Sequence, residues 1–281
     1  MRLTILGSGG PLSTPRPGCN CRVCVEARQA GGRSWRGGPG VYVHDARILI
    51  DATEDVVPLL NRAGIERVDH LFLTHWHPDH TAGFRVVEQL SFDLGRAGAR
   101  HKTDVWLNQA TARRFADGWR YFEKVGYCAL HVVEPGTRLD LGGLTVTWFN
   151  YAPADFLSGF VLDDGAGRVV LALDETKDLA PRVAADPSLQ NADLLVCECG
   201  LFERDPTGRV LLAADHPLRE TEAGFERDTV PLLAAANAKR TILTHLMDFH
   251  GRTPSELATL ASTLGPGEVS FAYDGLTIDV A

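Results

Sequence analysis

The stretch LFLTHWHPDH, Leu71 to His80, constrains this chain more than any other. Leu71, Phe72 and Leu73 read as a short buried strand. His75, His77, Asp79 and His80 follow within six positions. Residues two apart on an extended chain face the same side, so the rings of His75 and His77 point together. Pro78 suits the first turn of a helix, which sets Asp79 and His80 at a strand-to-helix corner. Three imidazoles and a carboxylate converging there are donors that suit zinc, manganese or iron. The chain holds only ten His, so three of them here form a pattern rather than a His-rich loop.

Donors of the same kind recur where other apolar runs stop. Asp51 follows Leu49-Ile50, Asp174 follows Val169 to Leu173, Glu198 follows Leu194 to Cys197, and His245 follows Arg240 to Thr244. Strands that each deliver a donor at the C-terminal end imply one site along one edge of stacked sheets. Alternation with helical patterns implies helices packed outside, an α/β class. The periodicity predicts helices over Thr81 to Leu94, Ala110 to Val125, Leu179 to Ala185, Glu220 to Ala236 (kinked at Pro231) and Ser255 to Ser262. Phe115, Trp119, Tyr121 and Phe122 on the second of these serve core packing or line a pocket. Val269 to Val280 predicts a closing hairpin around Asp274-Gly275. Gly7 to Pro11, GSGGP, reads either as a phosphate cradle or as a tight turn near the site. His70 and His131 read as structural, and Cys128 as packed. His216, beside Asp215, sits between a loop and a helix.

Cys19, Cys21 and Cys24 read as three ligands of a closed structural metal site. The fourth is expected from His250, with Asp248 as its rival. The Arg- and Gly-rich piece Arg28 to Gly40 is then a loop tied down by that metal. The chain has 281 residues, 44% hydrophobic and 23% charged, enough for one large domain or two small ones. A net charge of -8 without a basic run argues against nucleic acid as a partner. It leaves room for a small anionic substrate, because bound cations reverse the local field. The opening MRLTILGSGG lacks the features of a signal peptide, and no apolar run approaches the ~20 residues of a membrane span. The expectation is a soluble cytoplasmic protein with no membrane partner.

The motif His75-Trp76-His77-Pro78-Asp79-His80, with Asp51, Asp174 and His245 in order behind it, resembles the metallo-β-lactamase superfamily. The resemblance implies a four-layer αβ/βα sandwich. It also implies a single domain over residues 1–281, with a Cys-rich structural metal loop at about 18–40. It implies one or two divalent ions (Zn, Mn or Fe) at the sheet edge, and one structural zinc on Cys19, Cys21, Cys24 and His250. His75, His77 and Asp174 would hold one ion. Asp79, His80, Asp174 and His245 would hold the other, with Asp51 orienting a ligand His from behind. Within the superfamily the chain is similar to the branch of the phosphoribosyl cyclic phosphodiesterase of the carbon–phosphorus lyase pathway. The shared features are the Gly7 to Gly10 turn, the Cys cluster and the ending Phe271 to Val280. The pyrroloquinoline quinone biosynthesis B protein belongs to the same Cys-containing branch and departs from the usual metal pattern.

Two departures stand out. Where that branch has a His just after the last metal-ligand His, this chain has Asp248, with His250 two further on. The superfamily also places a ligand His after the strand matching Leu144 to Asn150, and no His occurs between His131 and His216. Asp155, Tyr151 or a water would fill the place, or one ion binds. The activity implied is metal-dependent hydrolysis of a small phosphodiester, cyclic ribose phosphates among them. Asp79 and His216 would be catalytic, with His216 protonating the leaving oxygen. The alternative is lactone, ester or thioester hydrolysis, or a metal-dependent oxidation. A small-molecule substrate and a homodimer are the expected partners.

Overall fold

The structure is a computed structural model that describes residues 1–94, 101–151 and 156–280. The chain begins with β1 (Arg2–Gly7), β2 (Gly40–Val43), β3 (Ile48–Ile50), β4 (His70–Leu73), β5 (Thr103–Asn108) and β6 (Cys128–Val133). It continues through β7 (Arg138–Asp140), β8 (Thr145–Tyr151), β9 (Leu157–Asp163), β10 (Arg168–Ala172), β11 (Leu194–Glu198), β12 (Arg240–Thr244) and β13 (Glu268–Phe271). It ends in β14 (Leu276–Asp279). One seven-stranded sheet has the order β14-β1-β2-β3-β4-β5-β6 and the other β13-β12-β11-β10-β9-β8-β7. The helices are α1 (Arg22–Ala30), α2 (Val56–Arg62), α3 (Pro78–Thr81), α4 (Val86–Ser91), α5 (Gln109–Lys124), α6 (Leu179–Ala185), α7 (Leu218–Thr221), α8 (Val230–Ala236) and α9 (Pro254–Ala261).

Side chains on a strand alternate between its two faces, and here both faces are covered. Ile48, Ile50 and Phe72 point between the sheets, where they meet Trp148, Phe160, Leu171 and Val196. Leu49, Leu71 and Leu73 point outward, to Val56, Leu60 and Val87 of α2 and α4. On the second sheet Val170, Leu195 and Leu243 face outward, to Val183, Leu232 and Leu257 of α6, α8 and α9. Apolar runs without polar interruption are therefore the signature of strands buried on both sides. The result is four layers, helix, sheet, sheet, helix, as the α/β sandwich reading requires. Phe84 and Phe115 stack on Trp119 with ring centroids 4.0 and 4.1 Å away, so Phe115, Trp119 and Phe122 of α5 pack against the core while Tyr121 is exposed.

Several strands that carry the candidate donors run parallel: β3 with β4, β10 with β11, and β11 with β12. Their C-terminal ends therefore share one edge. Among the described residues no helix is long and apolar enough to cross a membrane.

Three expected elements differ. The helix expected from Thr81 to Leu94 is broken into α3 and α4 around Gly83. A Cβ there would lie 1.9 Å from the Thr53 carbonyl oxygen, so the chain must pass too close for a continued helix. The helix expected from Glu220 to Ala236 is divided at Ala223-Gly224, where the backbone bonds to Leu201 on both sides. A π-helical turn, Phe225–Thr229, then runs directly into α8, with Pro231 just past the junction. The closing hairpin is a crossover: β13 pairs with β12 and β14 with β1, in different sheets.

Asp274 is the pin of that crossover. Its carboxylate accepts from the Ser8 N–H (2.9 Å), the Ser8 hydroxyl (2.8 Å) and the Gly37 N–H (2.8 Å). The side chain is 4% exposed. The GSGGP segment is thus a packing turn, not a phosphate cradle, because its Ser8 and Gly9 N–H groups already have protein acceptors. Asp274→Ala would leave those buried donors without partners. We expect it to lower unfolding stability by about 2–4 kcal/mol. Urea unfolding followed by circular dichroism checks this, and a loss below the error of the fit would contradict it.

Candidate metal centre

The six predicted donors meet at the shared edge. His75 and His77 leave β4, Asp79 and His80 open α3, Asp174 follows β10, and His245 follows β12. The ligand atoms of Asp79, His80, Asp174 and His245 all lie within 4.8 Å of one another. Those of His75, His77 and Asp174 do likewise, so Asp174 belongs to both groups. Its Oδ2 is 3.4 Å from His75 Nε2 and 3.3 Å from His80 Nε2. Its Oδ1 is 3.5 Å from His245 Nε2. Asp79 Oδ2 lies 3.2 Å from His80 Nε2 and 3.6 Å from His245 Nε2.

The rings are fixed from behind. Asp51, fully buried, holds His80 Nδ1 at 2.7 Å and leaves Nε2 turned to the centre. The same carboxylate accepts from the Thr74 N–H and hydroxyl, and the Thr74 oxygen lies 3.0 Å from His75 Nδ1. Thr74 thus couples two rings to one carboxylate, a role not visible in the sequence beyond its place between strand and motif. Gly10 backs His245: a Cβ there would sit 2.7 Å from His245 Nδ1. Glu198, which ends β11, is not in either donor group. It accepts from the Thr176 N–H (2.8 Å) and hydroxyl (3.1 Å), fixing the turn after Asp174.

The electrostatics match a cation site. Burial pushes the Asp174 carboxyl up, but His245, His75 and His80 outweigh it and hold it well below the usual carboxylate range. Asp79 is held low in the same way, against its burial, by His245 and His80. Burial and the neighbouring His80 push His75 down to about 4. Burial acts to lower His245 too, but Asp174, Asp79 and Glu198 raise it to about 9. His75 Nε2, His80 Nε2 and His245 Nε2 are buried with no hydrogen-bond partner. Buried polar atoms are almost always satisfied, so three orphaned imidazole nitrogens aimed at two carboxylates fit a divalent metal.

The second cluster is also assembled, with one correction. Cys19, Cys21 and Cys24 Sγ lie 3.3–3.4 Å from Asp248 Oδ2, and these four form the donor group. The fourth member is Asp248, not His250. The two residues begin and end one 3-10 turn, Asp248–His250, and so leave it in different directions. The His250 ring packs edge-on to Phe202 at 5.4 Å, and burial with Arg36 nearby pushes it down to about 3. Arg16 Nη2 donates to Asp248 Oδ2 at 2.8 Å, a contact to the cluster not foreseen from sequence. The Arg28 to Gly40 piece is part helix, and Arg36 ties it down by donating to the Met247 and Arg252 carbonyls.

His216 lies outside both clusters. Its Nδ1 accepts from the Leu218 N–H at 3.2 Å, ahead of α7. Among the described residues no hydrogen bond or ion pair joins it to the six donors. Of the residues considered for the place of the absent His, Asp155 lies outside the described residues. The Tyr151 hydroxyl donates to the Asp174 carbonyl at 2.7 Å and is committed there.

Two measurements check these assignments. Asp51→Asn should weaken metal binding at the six-residue centre by about 10–100-fold, read by chelator competition, with the far-ultraviolet spectrum unchanged. After incubation with zinc and dialysis, Asp248→Ala should fail to retain an ion at the Cys cluster, whereas His250→Phe should retain it, read by elemental analysis. Zinc loss in the second variant alone would reverse the correction.

The family described as "Beta-lactamase superfamily domain" matches residues 46–246. A Bacillus subtilis protein named "Probable metallo-hydrolase YhfI" is 26% identical over 240 residues, 82% of this chain and 87% of that protein. The chain spans 17% and 35% of the length of two other curated relatives it matches. A solved diphosphatase from the PhnP family superposes with a TM-score of 0.73 at 23% identity, covering 100% of this chain and 98% of that one. Zinc-bound PqqB from Methylobacterium extorquens superposes with a TM-score of 0.77 at 19% identity, over 100% of both chains. A match over most of the chain, laid on a sheet edge where six metal-type donors meet, makes this chain a member of the β-lactamase superfamily.

Proposed function

We propose that the chain hydrolyses a small phosphodiester, with cyclic ribose phosphates as the first class to test, using one or two divalent ions (Zn, Mn or Fe). The observation that carries this reading is the pair of donor groups sharing Asp174, with three buried imidazole nitrogens left unpaired. The similar fold of a diphosphatase supports phosphorus chemistry on this scaffold. His75, His77 and Asp174 would hold one ion, and Asp79, His80, Asp174 and His245 the other. Bound there, such ions supply Lewis acidity toward phosphoryl oxygens and lower the pKa of water.

The remaining steps belong to side chains. Asp79 Oδ2, 3.2 Å from His80 Nε2 and 3.6 Å from His245 Nε2, is kept ionised and takes the proton of the attacking water. As the water oxygen bonds to phosphorus, the bond to the leaving oxygen breaks and that oxygen needs a proton. His216 is the donor in this reading. To act so the ring must carry a proton on both nitrogens, which requires Nδ1 to release the contact it accepts from the Leu218 N–H; Nε2 then gives up its proton and the ring is left neutral. The chain just beyond it borders the centre: Lys177, three residues past Asp174, donates to the Glu220 carbonyl. The Cys19, Cys21, Cys24 and Asp248 cluster holds a structural zinc in the same reading.

The absent His after β8 favours a second reading, hydrolysis of a lactone, ester or thioester on the same centre. Assay of the full chain on a cyclic ribose phosphate, an aryl phosphodiester, a lactone and a thioester separates the two. The first reading expects phosphodiester turnover that a chelator removes and manganese or zinc restores. Asp79→Ala should lower kcat/KM by about 10²–10⁴-fold with the melting curve unchanged. Turnover of the lactone or thioester alone would sink it.

A further inference from the structure

The two donor groups around Asp174 are unequal: four residues on one side, three on the other. We propose that Glu175 completes the smaller group, so that its ion is held by His75, His77, Asp174 and Glu175. This rests on the metal-centre reading above and goes beyond it by assigning a ligand. Glu175 Oε1 lies 3.9 Å from His77 Nδ1. Donors bound at about 2.0–2.2 Å to one tetrahedral ion sit about 3.4 Å apart. Glu175 stands outside the set of three whose ligand atoms lie within 4.8 Å of one another, so its carboxylate must swing toward the ion as the ion binds.

The local backbone aims the carboxylate there. Glu175 adopts φ +51°, the left-handed region that non-glycine residues rarely occupy. Its backbone N–H donates to Asp174 Oδ1 at 2.8 Å, which fixes the Glu175 backbone against the Asp174 carboxylate. Strain at such a position persists where the surroundings over-determine it, and sites of chemistry are where it collects. Competing donors are committed elsewhere. The Tyr151 hydroxyl is spent on the Asp174 carbonyl, and Phe156 walls the two rings at 5.8 Å (His75) and 5.9 Å (His77) without offering a ligand. The Glu175 side chain is 21% exposed, so it can move onto an ion from the open side. Two imidazoles and two carboxylates form a harder set than three imidazoles and one. The proposed site is therefore more favourable to manganese and iron than a set of three imidazoles and one carboxylate.

Cobalt(II) alone, titrated into the metal-stripped full chain, tests the assignment. Thiolate charge-transfer absorption reports the Cys cluster separately from the weaker bands of ions bound by nitrogen and oxygen. The wild type should take up two ions of the second kind. Glu175→Gln should bind one of them at least tenfold more weakly and leave the other, the thiolate band and the melting curve of the stripped protein unchanged. His77→Ala should weaken the same ion. Unchanged affinity and spectrum in Glu175→Gln, while His77→Ala still loses its ion, would overturn the assignment and leave the metal centre standing. No uptake of nitrogen- and oxygen-bound cobalt by the wild type would instead remove the metal-centre reading, and the proposal with it.

Discussion

The buried carboxylate of Asp174 is the group around which the edge of this molecule is built. A charged oxygen pair taken out of water is costly unless opposite charge or hydrogen-bond donors face it. Three rings do so here, from the ends of two strands, β4 and β12, at 3.3–3.5 Å. The rings in turn leave buried nitrogens unpaired, so neither side of the arrangement is satisfied by the other alone. A divalent cation between them completes both at once, and for that reason a centre of this composition is read as a metal site rather than as an ion-pair network. Removing any one ring would leave the carboxylate short on one side, and Asp79, the second carboxylate of the larger group, adds negative charge that a cation balances.

Holding such a centre requires the backbone to turn sharply where each strand stops. Asp51, Glu175 and His245 all have left-handed φ values, 64°, 51° and 61°. Each such residue costs about 1–3 kcal/mol. The sheet hydrogen bonds around them offset this: the Asp51 N–H donates to the Phe72 carbonyl, and the Leu246 N–H to that of Ser8. The long apolar strands therefore do more than fill a core. They anchor the turns from which the donors reach back over the edge, and Thr74 passes the position of Asp51 on to the His75 and His80 rings.

The donors were legible in sequence because each signal is local. An apolar run that ends in His, Asp or Glu can be read residue by residue, and the parallel sheet then does the assembling. Asp51, behind His80, was legible for the same reason. Glu175 was not. It stands beside a stronger signal, and its reach to His77 depends on the backbone angle at one position. Thr74 and Gly10 were also invisible, since their contacts span the gap between sheets or follow from the lack of a side chain. The break at Gly83 and the crossover at Asp274-Gly275 were misread because both depend on close approach to distant chain. A helix pattern and a turn-forming dipeptide describe only what the local chain permits.

The fourth residue of the Cys cluster shows where local reading stops. Asp248 and His250 are two apart, each a competent ligand, and only the direction in which a short turn leaves β12 decides between them. That direction is set by contacts made far away in sequence. Arg36 grips the Met247 carbonyl, Arg16 reaches Asp248, and Gly10 lies against the His245 ring. The segment from His245 to Asp248 is thus held at one end in the metal centre and at the other by the thiols. Closing the Cys cluster shortens the freedom of a four-residue span whose first member is a donor to the centre. The N-terminal Cys loop, though it supplies no group to the chemistry, shares one mechanical unit with His245.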